Sequence, residues 1–379
     1  MSAKPRTSRL DDLISWFAAS VLVTAGVIYA LNLQEDRSSP APERVLPDPT
    51  PVQEPLSLQK IRANEPDRGR RARAPFEIPW RGWKDIMLRT YREILDDRLF
   101  LIAAGVAFYS LVALFPAIGA GVSSYALFAD AGTITRHLTT VADIVPAGAL
   151  DLITGEITRI AEKSEGKLTL GFIIGLAIAL WSANAGMKSI FDALNIIYDE
   201  QEKRGLIWLN VESLSFTIGG IAAAGLALGL VVVFPLLVAA TGLTSFAQPL
   251  IGYLRWSLMF VLIIVGLAVL YRYGPSRRPP KWRWTSVGSV FAALAWLLVS
   301  WLFSWYLANF AHYNATYGAL GAVVGLMMWL WLSITVVLVG AELNSETEHQ
   351  TARDSTVGSE KPLGTRGAVM ADTVGAAAG

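Results

Sequence analysis

The sequence predicts an all-α protein: a polytopic bundle of membrane helices, with six core spans and an additional N-terminal span. Only 17% of the 379 residues are charged, against about 25% in soluble domains. Five stretches contain no Asp, Glu, Lys or Arg, namely residues 99–129, 168–187, 213–254, 256–271 and 284–341. Because about 20 apolar residues cross the hydrocarbon of a bilayer, such stretches are typical of membrane spans.

The composition also excludes other classes of protein. A soluble enzyme or a disordered chain would carry more charged residues and fewer long apolar runs. The sequence contains no cysteine, which removes a disulfide framework, thiolate metal ligands and a cysteine nucleophile.

The N-terminal third is predicted to contain a span and a linker. Residues 13–33 are apolar and too long for the hydrophobic part of a signal peptide, so residues 1–36 are interpreted as a transmembrane helix. Nine of the 18 prolines lie in residues 38–79, so residues 37–79 are predicted to be a Pro-rich, disordered basic linker.

Residues 80–345 are predicted to form the membrane domain. Its first helix, residues 80–97, repeats apolar residues every three or four positions, as in a basic amphipathic helix that lies in the membrane interface. The stretch 213–254 is too long for one crossing and divides near residues 241–245, and the stretch 284–341 divides at the polar residues 312–318. Six core spans result.

Basic residues predict the orientation of these spans. Residues 60–92 hold ten basic residues against four acidic ones, and the loop between spans four and five is also basic. Cytoplasmic loops retain Lys and Arg, so both ends of the core are predicted to be cytoplasmic. The core then places the extreme N-terminus outside, although the basic residues before position 13 favour the opposite orientation.

Two further segments lie outside the spans. Residues 130–167 are slightly acidic and carry apolar residues at helical spacing, which predicts a helical hairpin on the outer side. This hairpin either caps the bundle or binds a partner. Residues 346–379 are rich in Gly, Ala, Ser and Thr, which predicts a disordered cytoplasmic tail.

The sequence contains no pattern typical of catalysis. Its three histidines, His137, His312 and His349, are far apart and have no partner at metal-binding spacing. A P-loop and a nucleophile elbow are also absent. We therefore expect no catalytic residues, no metal, no cofactor and no nucleic-acid partner.

Polar side chains inside the spans are the candidates for a polar cavity or substrate path, because they are costly in a membrane. Residues 184, 188, 192 and 195 share one helical face, and a proline at 116 frees a backbone carbonyl one turn earlier. By position, Lys188, Asp192 and Glu342 fit better as interfacial residues near the cytoplasmic surface, with Lys188 and Asp192 forming an i,i+4 pair. Asn184 and Tyr109 lie deeper and are the better candidates for lining a cavity. The complete candidate set is Tyr109, Ser110, Pro116, Ser182, Asn184, Lys188, Asp192, Asn195, Glu342 and Asn344.

Basic residues next to the membrane are candidates for contacts with anionic lipids. The alternative is that they serve only as a topology signal. They are Arg68, Arg70, Arg71, Arg73, Arg277, Arg278, Lys281 and Arg283.

Seven short segments together carry a family resemblance over about residues 83–348. They are AFYSL (107–111), LFP (114–116), WSAN (181–184), ALNIIY (193–198), YRYGP (271–275), YGALG (317–321) and GAELN (340–344). In order and spacing they resemble the YihY/BrkB family of bacterial inner-membrane proteins.

The resemblance implies an all-helical protein with six core spans in the bacterial cytoplasmic membrane. Family members have carried the label ribonuclease BN and have been linked to lipid homeostasis of the envelope. We therefore expect a transporter-like protein that handles a lipid or another amphipathic envelope component, with membrane lipids as its partners. The alternatives are a non-catalytic scaffold that docks an envelope protein and, with less support from the residues, a membrane-bound ribonuclease.

Overall fold

The computed structural model describes residues 56–126, 170–230, 247–310 and 319–377. The N-terminal helix predicted at residues 13–33, the first part of the linker and the outer hairpin at 130–167 lie outside the described residues. These three predictions are therefore not tested.

The described residues form helices and contain no β-strand, which confirms the all-α class. A 3-10 helix at Pro75–Glu77 lies between the first two α-helices. The α-helices are α1 (Leu56–Ala63), α2 (Trp80–Asp96), α3 (Leu99–Ala126), α4 (Leu170–Ile197), α5 (Leu206–Leu228), α6 (Ala247–Tyr273), α7 (Trp282–Phe310), α8 (Ala319–His349) and α9 (Val369–Asp372).

Several of these helices can cross a membrane, as expected for a multi-pass membrane protein. Four segments are long and apolar enough, within helices α5 to α8: Leu206–Ala227, Tyr253–Tyr273, Trp282–Asn309 and Val323–His349. Helix α2 and the first part of α3 meet at 61° and add a fifth if they act as one broken span. The count of six core spans stays a prediction.

Helix α8 is the central element of the described bundle. It contacts α2, α3, α4, α7 and α9. The largest hydrophobic core lies around it, where α3, α4 and α6 converge. Its members include Val106, Leu194, Tyr198, Tyr271 and Leu338.

One end of the bundle is closed by an ordered layer that we call the cap. The cap consists of residues 56–98, 198–205, 274–281 and 345–377. The prediction of disorder is therefore wrong for residues 56–79 and 346–377, because buried side chains such as Met370 and Ser355 lie within the tail.

Arginine side chains explain why segments of such polar composition are ordered. The Arg70 guanidinium donates hydrogen bonds to the carbonyl oxygens of Gln350 (3.2 Å) and Gly375 (2.7 Å). Arg366 donates in the same way to the carbonyls of Ala352 (2.8 Å) and Ala371 (2.5 Å). Small residues leave the backbone open to such donors, so a composition that suggests disorder here forms a hydrogen-bonded structure.

Helix α2 has an outer face with exposed aromatic residues and an inner face with buried polar residues. Trp80 and Tyr91 are 80% and 64% exposed, whereas Asp85 and Arg89 are buried against the other segments of the cap. The predicted amphipathic helix is thus present, and its polar face is covered by protein while aromatic residues remain on the outside.

We expect Gly340→Ala to destabilise the contact between α7 and α8 by about 2 kcal/mol, because overpacking a filled interface costs that much. A Cβ atom at Gly340 would lie 2.7 Å from Ala292 Cβ, the Gly288 carbonyl oxygen and the Tyr271 hydroxyl. Gly325→Ala is the matched control on the same helix, since its Cβ would meet no described atom within 4 Å. Thermal unfolding of both variants in detergent gives the comparison, and equal melting temperatures would contradict this packing.

Candidate functional site

The first group of predicted polar residues lies between α4 and α5. The Lys188 ammonium donates a hydrogen bond to Asn210 Oδ1 at 2.6 Å and lies 5.7 Å from the centre of the Trp181 ring. The Asn184 side-chain amide donates to the same oxygen at 3.4 Å. Asn184 Oδ1 is buried and has no hydrogen-bond partner among the described residues.

The i,i+4 ion pair of Lys188 with Asp192, which is part of the interfacial interpretation, is not formed, although the two charges still attract each other. Lys188 binds the neutral amide of Asn210 instead, and the Asp192 side chain is exposed. The charge on Lys188 is therefore not neutralised by an ion pair with a described carboxylate. Asn210, which provides this contact, was not predicted because it lies before the charge-free part of its span.

Asn195 lies in a different place and has a structural role. Its Oδ1 accepts the backbone N–H of Ser276 at 2.7 Å, and its Nδ2 donates to Glu202 Oε2 at 3.1 Å. Burial raises the pKa of the Glu202 carboxyl, but hydrogen bonds from Arg204 and Asn195 outweigh it and hold this pKa at about 2. Asn195 thus joins α4 to two loops of the cap.

Asn344 also connects helices. Its Oδ1 accepts the N–H of Gly288 at 2.7 Å and its Nδ2 donates to the carbonyl oxygen of Thr285 at 3.1 Å. The side chain is 1% exposed, so Asn344 fixes α8 against α7.

Glu342 is the most unusual member of the predicted set. It is 1% exposed, and neither carboxylate oxygen has a hydrogen-bond partner in the part of the chain that the structure describes. The carboxylates of Glu93, Asp97, Asp199 and Glu346 are close enough to repel a charge on it. A buried carboxylate without a partner is costly when ionised.

Glu346, one turn later, has the opposite environment. It forms an ion pair with Arg89 Nε, and its second oxygen lies 3.4 Å from His349 Nδ1. Asp199, in the adjoining loop, has its pKa raised by burial and by the charge on Glu346, while His349 acts in the opposite direction. The sequence analysis did not identify this group, because its members are far apart along the chain.

The remaining predicted residues lie on helices α3 and α4. Tyr109 is 52% exposed and packs edge-on against Phe108 at a ring distance of 5.9 Å. Ser110 and Ser182 are half-buried, and α3 continues unbroken through Pro116. The structure brings Asn184 and Lys188 together, while Asn195, Glu342 and Asn344 occupy separate surroundings.

Several predicted lipid contacts are engaged within the protein. Arg277 forms a 2.8 Å ion pair with Glu348, and both side chains are 1% exposed. Arg68 pairs with Asp85 at 2.5 Å, and Arg70, described above, is also buried. The prediction of lipid contact is therefore wrong for Arg70 and Arg277, because both side chains are buried and bound within the protein. Arg71 and Arg73 are exposed, and Arg278, Lys281 and Arg283 are half-buried.

The described residues contain no group of three or more His, Asp or Glu side chains placed to hold one metal ion. The model of the family named virulence factor BrkB matches residues 90–363, which is most of the chain and includes the α4–α5 group, the cap loops and α8. The chain belongs to the BrkB family. The resemblance found in its sequence is thereby confirmed.

Relatives in this family support the same assignment. The chain is 31% identical over 255 residues to a putative ribonuclease-like protein, YfkH, of Bacillus subtilis, covering 64% of this chain and 88% of that protein. A UPF0761 membrane protein of Vibrio cholerae is 30% identical, with 67% and 84% covered. One of Verminephrobacter eiseniae is 28% identical, and the chain spans 61% of its length. No solved structure matches the chain.

Two of the buried glutamates of α8, Glu342 and Glu346, are expected to respond differently to the loss of their charge. Glu346→Gln leaves the buried Arg89 guanidinium without its partner, so we expect a loss of about 3–5 kcal/mol in the free energy of unfolding. Glu342→Gln removes no described hydrogen bond and should leave the melting temperature unchanged or higher. Thermal unfolding at pH 8 measures both variants, and a large loss for Glu342→Gln would show that this carboxyl has a stabilising partner.

Proposed function

We propose that this BrkB-family protein is a transporter-like membrane protein that handles a lipid or another amphipathic component of the cell envelope. Its membrane is proposed to be the bacterial cytoplasmic membrane, with both ends of the core on the cytoplasmic side. The strongly basic residues of the cap support this orientation, since cytoplasmic segments retain Lys and Arg.

The observation that carries the proposal is the environment of Lys188. A cation within a membrane helix is costly and is typically retained for function. Here its hydrogen-bond partner is a neutral amide, so its positive charge remains available to an anionic headgroup. The unpartnered Asn184 Oδ1 adds an acceptor for a hydroxyl or amine of the same ligand.

Two other functions remain alternatives to this proposal. In one, the protein is a scaffold whose outer hairpin, residues 130–167, docks an envelope protein. In the other it is a nuclease, for which the support is the ribonuclease-like name of the Bacillus relative. Metal-dependent cleavage of RNA by the pure protein would be required for the nuclease.

Transport is tested in liposomes that contain the purified protein and a fluorescent phosphatidylglycerol, with dithionite added outside to quench the exposed label. We expect the wild-type protein to accelerate exchange between leaflets. Lys188→Gln should lower the initial rate about tenfold, since a charge-assisted hydrogen bond to the ligand is lost.

The matched control is Lys84→Gln, which removes the same charge from an exposed position on α2 and should leave the rate unchanged. Wild-type exchange no faster than in empty liposomes contradicts lipid movement. The scaffold is favoured if, in addition, crosslinking captures a stoichiometric partner that is lost when residues 130–167 are replaced.

A further inference from the structure

A cavity of about 400 Å³ lies in the cap beside the first turn of α7. It is separate from the Lys188 group. Its lining combines four cations with an aromatic side chain. The lining residues are Ala72, Arg73, Lys281, Arg283, Trp284, Arg353, Asp354 and Glu360.

Three distant parts of the chain are fixed around this cavity by hydrogen bonds to backbone carbonyl oxygens. The N–H of Lys281 donates to the carbonyl oxygen of Ser355 at 2.8 Å, and that of Val357 donates to the carbonyl oxygen of Pro279 at 3.1 Å. Thr351 Oγ1 donates to the carbonyl oxygen of Ala72 at 2.8 Å. The walls are therefore formed before any ligand binds, which reduces the entropic cost of binding.

The two carboxylates of the lining do not neutralise the four cations. Asp354 accepts hydrogen bonds from the N–H (2.9 Å) and the hydroxyl (2.7 Å) of Thr356, and from the N–H of Lys361 (2.8 Å). These three hydrogen bonds use the Asp354 carboxylate to stabilise its own loop. Glu360 is 72% exposed and lies 4.0 Å from Arg353, a distance at which an exposed pair is weak.

Two of the cations, Arg73 and Lys281, retain donors for a ligand. The Arg73 side chain is exposed and forms no ion pair with a described carboxylate. Lys281 Nζ donates one hydrogen bond, to the carbonyl oxygen of Asp354 at 3.1 Å, and an ammonium has three donors. Trp284 is 2% exposed and supplies an apolar wall.

We propose that this cavity binds a phosphate ester. A phosphate monoester carries a charge of about −1.5 to −2 and three acceptor oxygens, which matches a lining with an excess of two positive charges. Arginine binds phosphate oxygens with paired N–H donors, and lysine adds a point charge. The cavity adjoins the start of the span Trp282–Asn309, so the ester is either a lipid headgroup at the membrane surface or a soluble phosphate ester.

The experiment measures binding to the full-length protein in detergent by isothermal titration calorimetry. The probes are dioctanoyl phosphatidic acid, glycerol 3-phosphate and inorganic phosphate. The test variant is Arg73→Gln/Lys281→Gln, and the control is Arg92→Gln/Lys84→Gln, which removes the same charge from exposed positions of α2 that do not line the cavity. Melting temperatures establish that both double variants are folded, and Arg73→Gln alone replaces the test variant if it is not.

We expect wild-type protein to bind phosphatidic acid, with about tenfold weaker binding in the test variant and less than twofold change in the control. Binding of the lipid alone identifies a membrane headgroup as the ligand, whereas equal binding of glycerol 3-phosphate identifies a soluble ester. The proposal is overturned if no probe binds, or if both double variants lose affinity equally. Because Lys188 is intact throughout, this result is independent of the transport assay.

Discussion

The ordered cap depends on buried arginines that join distant parts of the chain. Arg89 is the clearest example, since its guanidinium contacts Glu346 and Gln350 on and just beyond α8 and the carbonyl oxygen of Ala376 near the end of the described tail. One side chain thereby connects α2, α8 and the C-terminal segment. Arg70 and Arg277 make comparable connections elsewhere in the cap. Buried charge is costly unless it is fully paired, so these contacts specify one arrangement of the segments.

Helix α8 connects the cap to the helices of the bundle. It packs closely on α7 through small residues just before Glu342, where Gly340 is opposed to Gly288 of α7. Its last turns carry the charged side chains that bind the cap, Glu346 and Glu348. Glu342 lies between these two parts, buried and without a described partner.

The two proposed ligand sites share one electrostatic feature at different places in the fold. Lys188 lies within α4 and is bound by an amide. In the cavity beside α7, one carboxylate is occupied by its own loop and the other is exposed. Both places offer a cation with hydrogen-bond donors, Lys188 within α4 and Lys281 just before α7, and an anionic amphipathic ligand requires such a group. A protein that handles such a ligand would bind its headgroup at the surface and within the bundle.

The sequence by itself determined the all-α class, most helix positions and the family, because long apolar runs and local periodicity set helices without distant partners. It also identified Asn184, Lys188 and Glu342 as unusual polar residues. The tertiary structure decided that Lys188 binds Asn210, that Glu342 has no described partner and that the cap is ordered. These outcomes depend on contacts across long separations, 257 residues between Arg89 and Glu346 and 305 between Arg70 and Gly375. Local composition does not encode such long-range pairs. The polar composition of the tail therefore predicts disorder, although its contacts with the cap keep it ordered.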